Sequence, residues 1–188
     1  CAETLSRIID YTDRSTCVIF GDGAAAAVFQ ASEQEGVLTT YMRANGTLGE
    51  CLKAQCLPVE DPLAQGPRAV CDHRFLKMAG SDVFRFTASA VPEAIDAVLH
   101  QANMTADQID WFVLHQANVR ILQMVTTRYG LDPKKVYVNI DRYGNTSGVS
   151  VALCLDEMRK NGQLKAGQHI VISGFGGGLT YGAALIRI

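Results

Sequence analysis

The 188-residue sequence has no long apolar run; nothing in it approaches the roughly 18 consecutive apolar residues of a membrane span. It opens without a basic-then-apolar leader, so no signal peptide is expected. One-sided charge is also lacking. Seventeen Lys and Arg stand against nineteen Asp and Glu, a net charge of -2, which argues against a general nucleic-acid binder. The six cysteines (Cys1, Cys17, Cys51, Cys56, Cys71, Cys154) contain no CxxC pair, and the four histidines are not spaced to complete a zinc site. These gaps lead to the expectation of a reduced, cytoplasmic, metal-free protein with neither nucleic acid nor membrane as partner. Cys17 and Cys154 lie in apolar runs and are expected to be buried thiols.

What is present is apolar residue, 48% of the chain, and seventeen glycines, a composition suited to a filled core with close backbone approaches. Thr16-Cys17-Val18-Ile19-Phe20 has the β-branched and aromatic character of a buried strand, Gly21-Asp22-Gly23 makes a turn, and Ala24 to Phe29 follows as a second strand of small residues. About 150 positions later the design recurs: strand His169 to Ser173, glycine turn Gly174 to Gly178, strand Leu179 to Ile188. So long a separation suggests two related halves rather than a solenoid. Residues 32 to 80, with Pro58, Pro62 and Pro67, read as a surface excursion.

From Phe84 the pattern is regular. Val91, Ala94, Ile95, Val98, Leu99 and Ala102 have the spacing of an amphipathic helix. Thr105 and Gln108 have the spacing of a capping box. Trp111 to Leu114 predicts a buried strand ending at His115. A helix follows, with Asn118 at its start and Gly130 beyond its end. Val136 to Ile140 predicts a further strand, and Asn145-Thr146-Ser147 leads into a helix closed by Asn161-Gly162. The alternation predicts an α/β fold with a largely parallel sheet, whose functional residues gather at the carboxyl ends of the strands.

Two residues stand at such ends. His115 would face the partial positive charge of a helix N-terminus, which keeps the imidazole neutral and able to donate one N–H. Asn145, flanked by glycine in Tyr143-Gly144-Asn145-Thr146-Ser147-Gly148, offers a donor without a titratable charge. Each has an ordinary structural use, as a satisfied histidine or as a helix cap or turn asparagine. The pair is more informative. Thirty positions, one strand-helix-strand unit, bring two neutral donors to one sheet edge, where they could stabilise an enolate or a tetrahedral oxyanion. Gly174-Phe175-Gly176-Gly177-Gly178 is not a dinucleotide fingerprint, because a strand and not a helix follows it.

Taken in order, Phe20-Gly21-Asp22-Gly23-Ala24, His115-Gln116-Ala117-Asn118-Val119-Arg120, Gly144-Asn145-Thr146-Ser147 and Gly174-Phe175-Gly176-Gly177-Gly178 resemble the signature blocks of the β-ketoacyl-(acyl-carrier-protein) synthase III family. Met78-Ala79-Gly80 with Val83-Phe84 resembles that family's acyl-tunnel segment. The resemblance implies a thiolase-like α/β fold: a C-terminal βαβαβαββ half together with the last strands of the N-terminal half. The implied division is 1–31 for the tail of the N-terminal half, 32–83 for the connecting and tunnel segment, and 84–188 for the C-terminal domain.

It further implies a condensing acyltransferase of fatty-acid synthesis. That enzyme joins an acyl-CoA, acetyl-CoA in particular, to a malonyl-(acyl carrier protein) by decarboxylative Claisen chemistry, with no cofactor beyond its thioester substrates. His115 and Asn145 match its catalytic pair. Asn118, Gly80, Phe84, Phe175 and Gly176 match residues along the pantetheine arm and tunnel. Gln116, Ala117, Asn118, Val119 and Arg120 match the segment that meets the carrier protein, with Arg120 suited to an acidic helical partner. The family's nucleophilic cysteine sits in an Ala-Cys-(Ala or Ser)-Gly-type context that no cysteine of this sequence shares, Cys1 included. The resemblance therefore implies that the chain needs the N-terminal half as a partner, is inactive alone, and belongs to a homodimer. Two alternatives stay open: a related thiolase-fold ketosynthase of secondary metabolism, and a non-catalytic acyl-carrier-binding partner.

Overall fold

The computed structural model describes residues 1–34, 36–54 and 75–188. Cys56, Cys71, His73 and the three prolines of the expected excursion lie outside the described residues. The strands are β1 (Ala2–Glu3), β2 (Gly23–Ala24), β3 (Val37–Ala44), β4 (Leu52–Ala54), β5 (Leu76–Met78), β6 (Trp111–Leu114), β7 (His169–Gly176) and β8 (Thr180–Arg187). The helices are α1 (Gly80–Gln101), α2 (Val119–Arg128), α3 (Ile140–Tyr143) and α4 (Ser150–Lys160), joined in places by short 3₁₀ turns.

Four strands form the main sheet in the order β3-β8-β7-β6. It is mixed. Only β6 and β7 run parallel; β7 with β8 and β8 with β3 are antiparallel. This corrects the expectation of a largely parallel sheet. A tight glycine hairpin between β7 and β8 forces the antiparallel step, since a parallel neighbour needs a crossover of a dozen residues or more. It also moves Val37–Ala44 out of the expected excursion, because β3 lies along β8 from Val37 to Ala44.

Side chains alternate across this sheet, and each face has its own helices. Phe112 and Leu114 of β6, Val171 of β7 and Ala183 and Leu185 of β8 meet Val91, Ala94, Ile95, Val98 and Leu99 of α1 and Leu122 and Val125 of α2 in one buried cluster. The expected amphipathic stripe of α1 is the face that is covered. On the other side, Val113 and Ile170 pack with Cys154 and Met158 of α4 and with Tyr137. The capping box forms as expected, Thr105 and Gln108 closing the 3₁₀ turn Ala106–Gln108. Gly130 and Gly162, at φ +59° and +69°, follow the ends of α2 and α4.

Three expected strands are absent or shortened. Residues 15–19 form turns, and Phe20 makes only an isolated bridge to Asn145. After β2 the chain has no ladder, and Val28 and Phe29 are 95% and 84% exposed. Among the described residues no strand runs beside them, and a strand without a neighbour leaves its polar backbone unpaired. Near Val136 a single parallel bridge to Phe112 replaces the expected strand, and α3 begins at Ile140. There a side chain does what a strand would: Gln116 donates from Nε2 to the Tyr137 carbonyl (3.2 Å) and accepts at Oε1 from the Asn139 N–H (3.0 Å). Cys154 is buried as expected, and burial pushes its thiol up to about 12; Cys17 is only half-buried. Among the described residues no helix is long and apolar enough to cross a membrane, and no group of three or more His, Cys, Asp or Glu could hold a metal ion.

Candidate functional site

β6 ends at the carboxyl edge of the sheet and hands the chain to His115, whose N–H donates to the Ser173 carbonyl of β7 (2.8 Å). The side chain leaves the sheet beside Phe175, ring centroids 5.2 Å apart and planes at 69°. Its Nδ1 lies 2.6 Å from Ser150 Oγ at the start of α4. Burial lowers the imidazole pKa from 6.5 to about 4, so the ring is neutral at physiological pH. Neutrality was the sequence expectation, and burial is a cause that the sequence did not display. Helix α2 begins four residues further on, with Asn118 as its cap, and loss of solvent lowers this pKa.

Asn145 reaches the same place from the other side of the turn after α3. Its backbone is stitched to the Gly21 segment: its N–H donates to the Ile19 carbonyl (2.9 Å) and its carbonyl accepts from the Gly21 N–H (2.9 Å). Only glycine fits at two positions of this seam. A Cβ on Gly21 would lie 2.2 Å from the Tyr143 carbonyl oxygen. Gly144 sits at φ +67°, and a Cβ there would lie 2.9 Å from the Ile19 carbonyl oxygen. The Gly-Asp-Gly block near the start of the chain therefore acts at a distance, holding the turn that carries Asn145. The Asn145 Oδ1 accepts from the Ser147 N–H (2.9 Å), which fixes the carboxamide. Among the described residues, neither Asn145 Nδ2 nor His115 Nε2 has a hydrogen-bond partner.

Both side chains line one cleft of about 890 Å³. Gly80 and Phe84 from the start of α1, Phe175 and Gly176 from the end of β7, and Ala117, Asn118 and Arg120 around the start of α2 line it too. Its apolar wall is completed by Leu5, Leu52, Leu76, Met78 and Ile121. An apolar trough with a few convergent polar groups is the usual form of a small-molecule site. Among the expected residues, Asn118, Val119 and Arg120 are exposed, and Ala117 is half-buried. Gln116 departs from its expected place. It is fully buried, and its amide is spent on Leu114, Tyr137 and Asn139, so it cannot face a docked protein.

Sequence reasoning did not single out Ser150 or Glu157. Glu157 of α4 accepts from both terminal guanidinium nitrogens of Arg142 (2.9 Å each), Tyr143 Oη (2.7 Å), Asn139 Nδ2 (2.8 Å) and Tyr137 Oη (3.3 Å). Burial pushes this carboxyl up, but the hydrogen bonds from Asn139 and Tyr143 and the Arg142 charge outweigh it and hold it below the usual carboxylate range. Glu157 thereby clamps the 137–143 stretch that precedes Asn145. Its one sequence signal is its place on the inner face of an amphipathic helix, where an acid requires partners.

The chain is similar to known proteins along its whole length. Residues 99–188 match the family described as 3-oxoacyl-[acyl-carrier-protein (ACP)] synthase III C terminal, and residues 1–46 match 3-oxoacyl-[acyl-carrier-protein (ACP)] synthase III. The chain is 44% identical over 186 residues to a β-ketoacyl-[acyl-carrier-protein] synthase III of Clostridium novyi, covering 99% of this chain and 57% of that protein. A synthase III of Microcystis aeruginosa is 44% identical, with 99% and 56% covered. Among solved structures, the 3-oxoacyl-[acyl-carrier-protein] synthase III of Aquifex aeolicus superposes with a TM-score of 0.88 at 37% identity, over 100% of this chain and 56% of that one. The priming β-ketosynthase of the R1128 polyketide biosynthetic pathway gives 0.85 at 34% identity, over 100% and 55%. The chain thus spans a little over half the length of the relatives it matches.

Proposed function

The chain belongs to the 3-oxoacyl-[acyl-carrier-protein] synthase III family, as the C-terminal half of its thiolase-like fold, and from this we propose that it supplies the enolate-stabilising half of a condensing active site. The reaction joins an acyl-CoA, acetyl-CoA in the first instance, to malonyl-(acyl carrier protein). The observation that carries the reading is the pair at the cleft: His115 Nδ1 and Asn145 Oδ1 are tied to the protein, which leaves Nε2 and Nδ2 of two neutral side chains to act as the donors. When the malonyl C–C bond breaks and carbon dioxide leaves, the electron pair moves onto the thioester oxygen. Two fixed N–H groups meet the charge where it develops, without a charged group that would have to be desolvated first. The enolate carbon then attacks the acyl thioester on a cysteine, and the cysteine sulfur leaves.

In this reading that cysteine comes from the N-terminal half of the fold, and the chain alone does not condense. Gly80, Phe84, Phe175 and Gly176 form the walls along the pantetheine arm and the acyl group, and Asn118 meets the arm at the mouth. Ala117, Asn118, Val119 and Arg120 present the start of α2 to an acidic carrier protein, Arg120 through charge-assisted contacts. Gln116 acts from within, holding this segment to residues 137–139. Residues 1–31, 32–83 and 84–188 are taken as the tail of the N-terminal half, the tunnel segment and the C-terminal domain. A cytoplasmic homodimer that uses no cofactor beyond its thioester substrates completes the proposal.

Mixing the chain with a polypeptide that supplies the cysteine-bearing half, and measuring acetoacetyl-(acyl carrier protein) formed from acetyl-CoA and malonyl-(acyl carrier protein), tests this. Product from the pair and none from either half supports it; a properly assembled pair that makes no product counts against it. The likeness to a priming ketosynthase supports a second reading, in which the primer is another acyl-CoA. The same assay with branched and aromatic primers separates the two.

A further inference from the structure

Ser150 lies at the first position of α4, 2% exposed, and belongs to none of the motifs that mark the site. Its Oγ touches two groups. The Gln116 N–H donates to it (3.2 Å), and His115 Nδ1 stands 2.6 Å away. A serine hydroxyl has one hydrogen to give, and among the described residues only His115 Nδ1 is placed to take it. Were Nδ1 protonated instead, Ser150 Oγ would accept twice and its own hydrogen would be buried without an acceptor.

We propose that Ser150 is a positioning residue: its hydroxyl donates to His115 Nδ1 and so holds the imidazole in the tautomer whose hydrogen sits on Nε2, facing the cleft. Burying an unmet hydroxyl hydrogen costs enough to favour this tautomer by about tenfold or more. The backbone N–H of Gln116 orients the serine, because it occupies an Oγ lone pair and leaves the O–H directed at the ring. Thus the residue after His115 and the first residue of α4 together set which ring nitrogen carries the donor. The catalytic consequence rests on the proposed function. In the other tautomer Nε2 is a lone pair, and it would repel a developing oxyanion rather than bind it.

The tautomer can be read without any activity, by ring ¹⁵N NMR of the ¹⁵N-histidine-labelled chain near pH 7. The expected spectrum of His115 has a pyridine-type Nδ1 and a protonated, pyrrole-type Nε2. A protonated Nδ1, or an even mixture, in the unaltered chain overturns the proposal, and no variant has to fold for that result. In Ser150→Ala the preference should fall by about tenfold or more, and Ser150→Thr, which keeps the hydroxyl, should restore it. An unchanged tautomer in Ser150→Ala also overturns the proposal. In the reconstituted enzyme Ser150→Ala should lower kcat for malonyl decarboxylation about tenfold with KM nearly unchanged, and Ser150→Thr should recover it. Should the unaltered reconstituted enzyme show no decarboxylation, the proposed function fails while the NMR result still decides the role of Ser150.

Discussion

Residues 16–29 and 169–187 carry the same arrangement of residue types, an apolar β-branched run, a glycine turn and a run of small residues, yet they end in different structures. The second becomes two eight-residue strands paired along their whole length, with Val171, Ala183 and Leu185 buried under α1. The first becomes a set of turns, one bridge at Phe20 and a two-residue strand, with Val18, Val28 and Phe29 exposed. The difference lies in what stands beside them. β8 has β3 on one side and β7 on the other, whereas the pairing of the first segment ends with the Cys1–Ala25 hydrogen bonds, and among the described residues no strand runs along Val28 and Phe29. Strand character is thus a property of a pair of segments, and propensity only prepares a segment for it.

Variants can sharpen this contrast. The largest expected effect is Phe112→Ala, which empties the centre of the α1–sheet cluster and should cost about 3–5 kcal/mol in chemical denaturation of the chain. A much smaller loss would mean that the C-terminal layers are not the stable part of the molecule. Next is pH. His115 binds its proton near pH 4 in the fold and near 6.5 when unfolded, so between these values the unfolded state holds more protons. Stability is then full above about pH 6.5 and falls as pH drops towards 4, by on the order of 3 kcal/mol, and His115→Gln should flatten that slope. Denaturation midpoints at pH 7 and pH 4.5 for both proteins decide it. Gln116→Ala should cost about 1–3 kcal/mol, because it strands the Asn139 N–H and the Tyr137 carbonyl. At the far end, Phe29→Ser should move the stability of the chain by no more than about 0.5 kcal/mol, since the side chain covers nothing. The same substitution in the reconstituted pair should cost more if this segment gains a neighbouring strand there.

These contrasts also show what could be read in advance. Helix α1, strand β6, the capping box at Thr105 and the ends of α2 and α4 follow local rules, periodicity and caps, which a sequence displays directly. The convergence of His115 and Asn145 was expected from a strand-helix-strand spacing, but the second strand does not form; a single bridge at Val136, the Gln116 amide and the Ile19–Gly21 seam bring Asn145 to the cleft instead. Non-local choices were hidden. β3 reads as irregular because its partner, β8, lies some 140 positions away. The strand expected at Val136 is displaced by the Gln116 amide, and nothing in the order of residues announces that a side chain will stand in for a strand. Ser150 and Glu157 were invisible for the same reason: each matters through whom it touches. The neutral state of His115 was foreseen from a helix field, but the burial that lowers its pKa, beside Phe175 and the cleft walls, exists only in the folded molecule.

The central claim is that two uncharged N–H groups at one cleft stabilise the thioester oxyanion. Its most direct test is the release of carbon dioxide from malonyl-(acyl carrier protein) by the reconstituted enzyme and by its His115→Ala and Asn145→Ala variants, each checked for an unchanged fold. Loss of either donor should slow release by about 10²–10³-fold. A variant that decarboxylates at the unaltered rate would contradict the account.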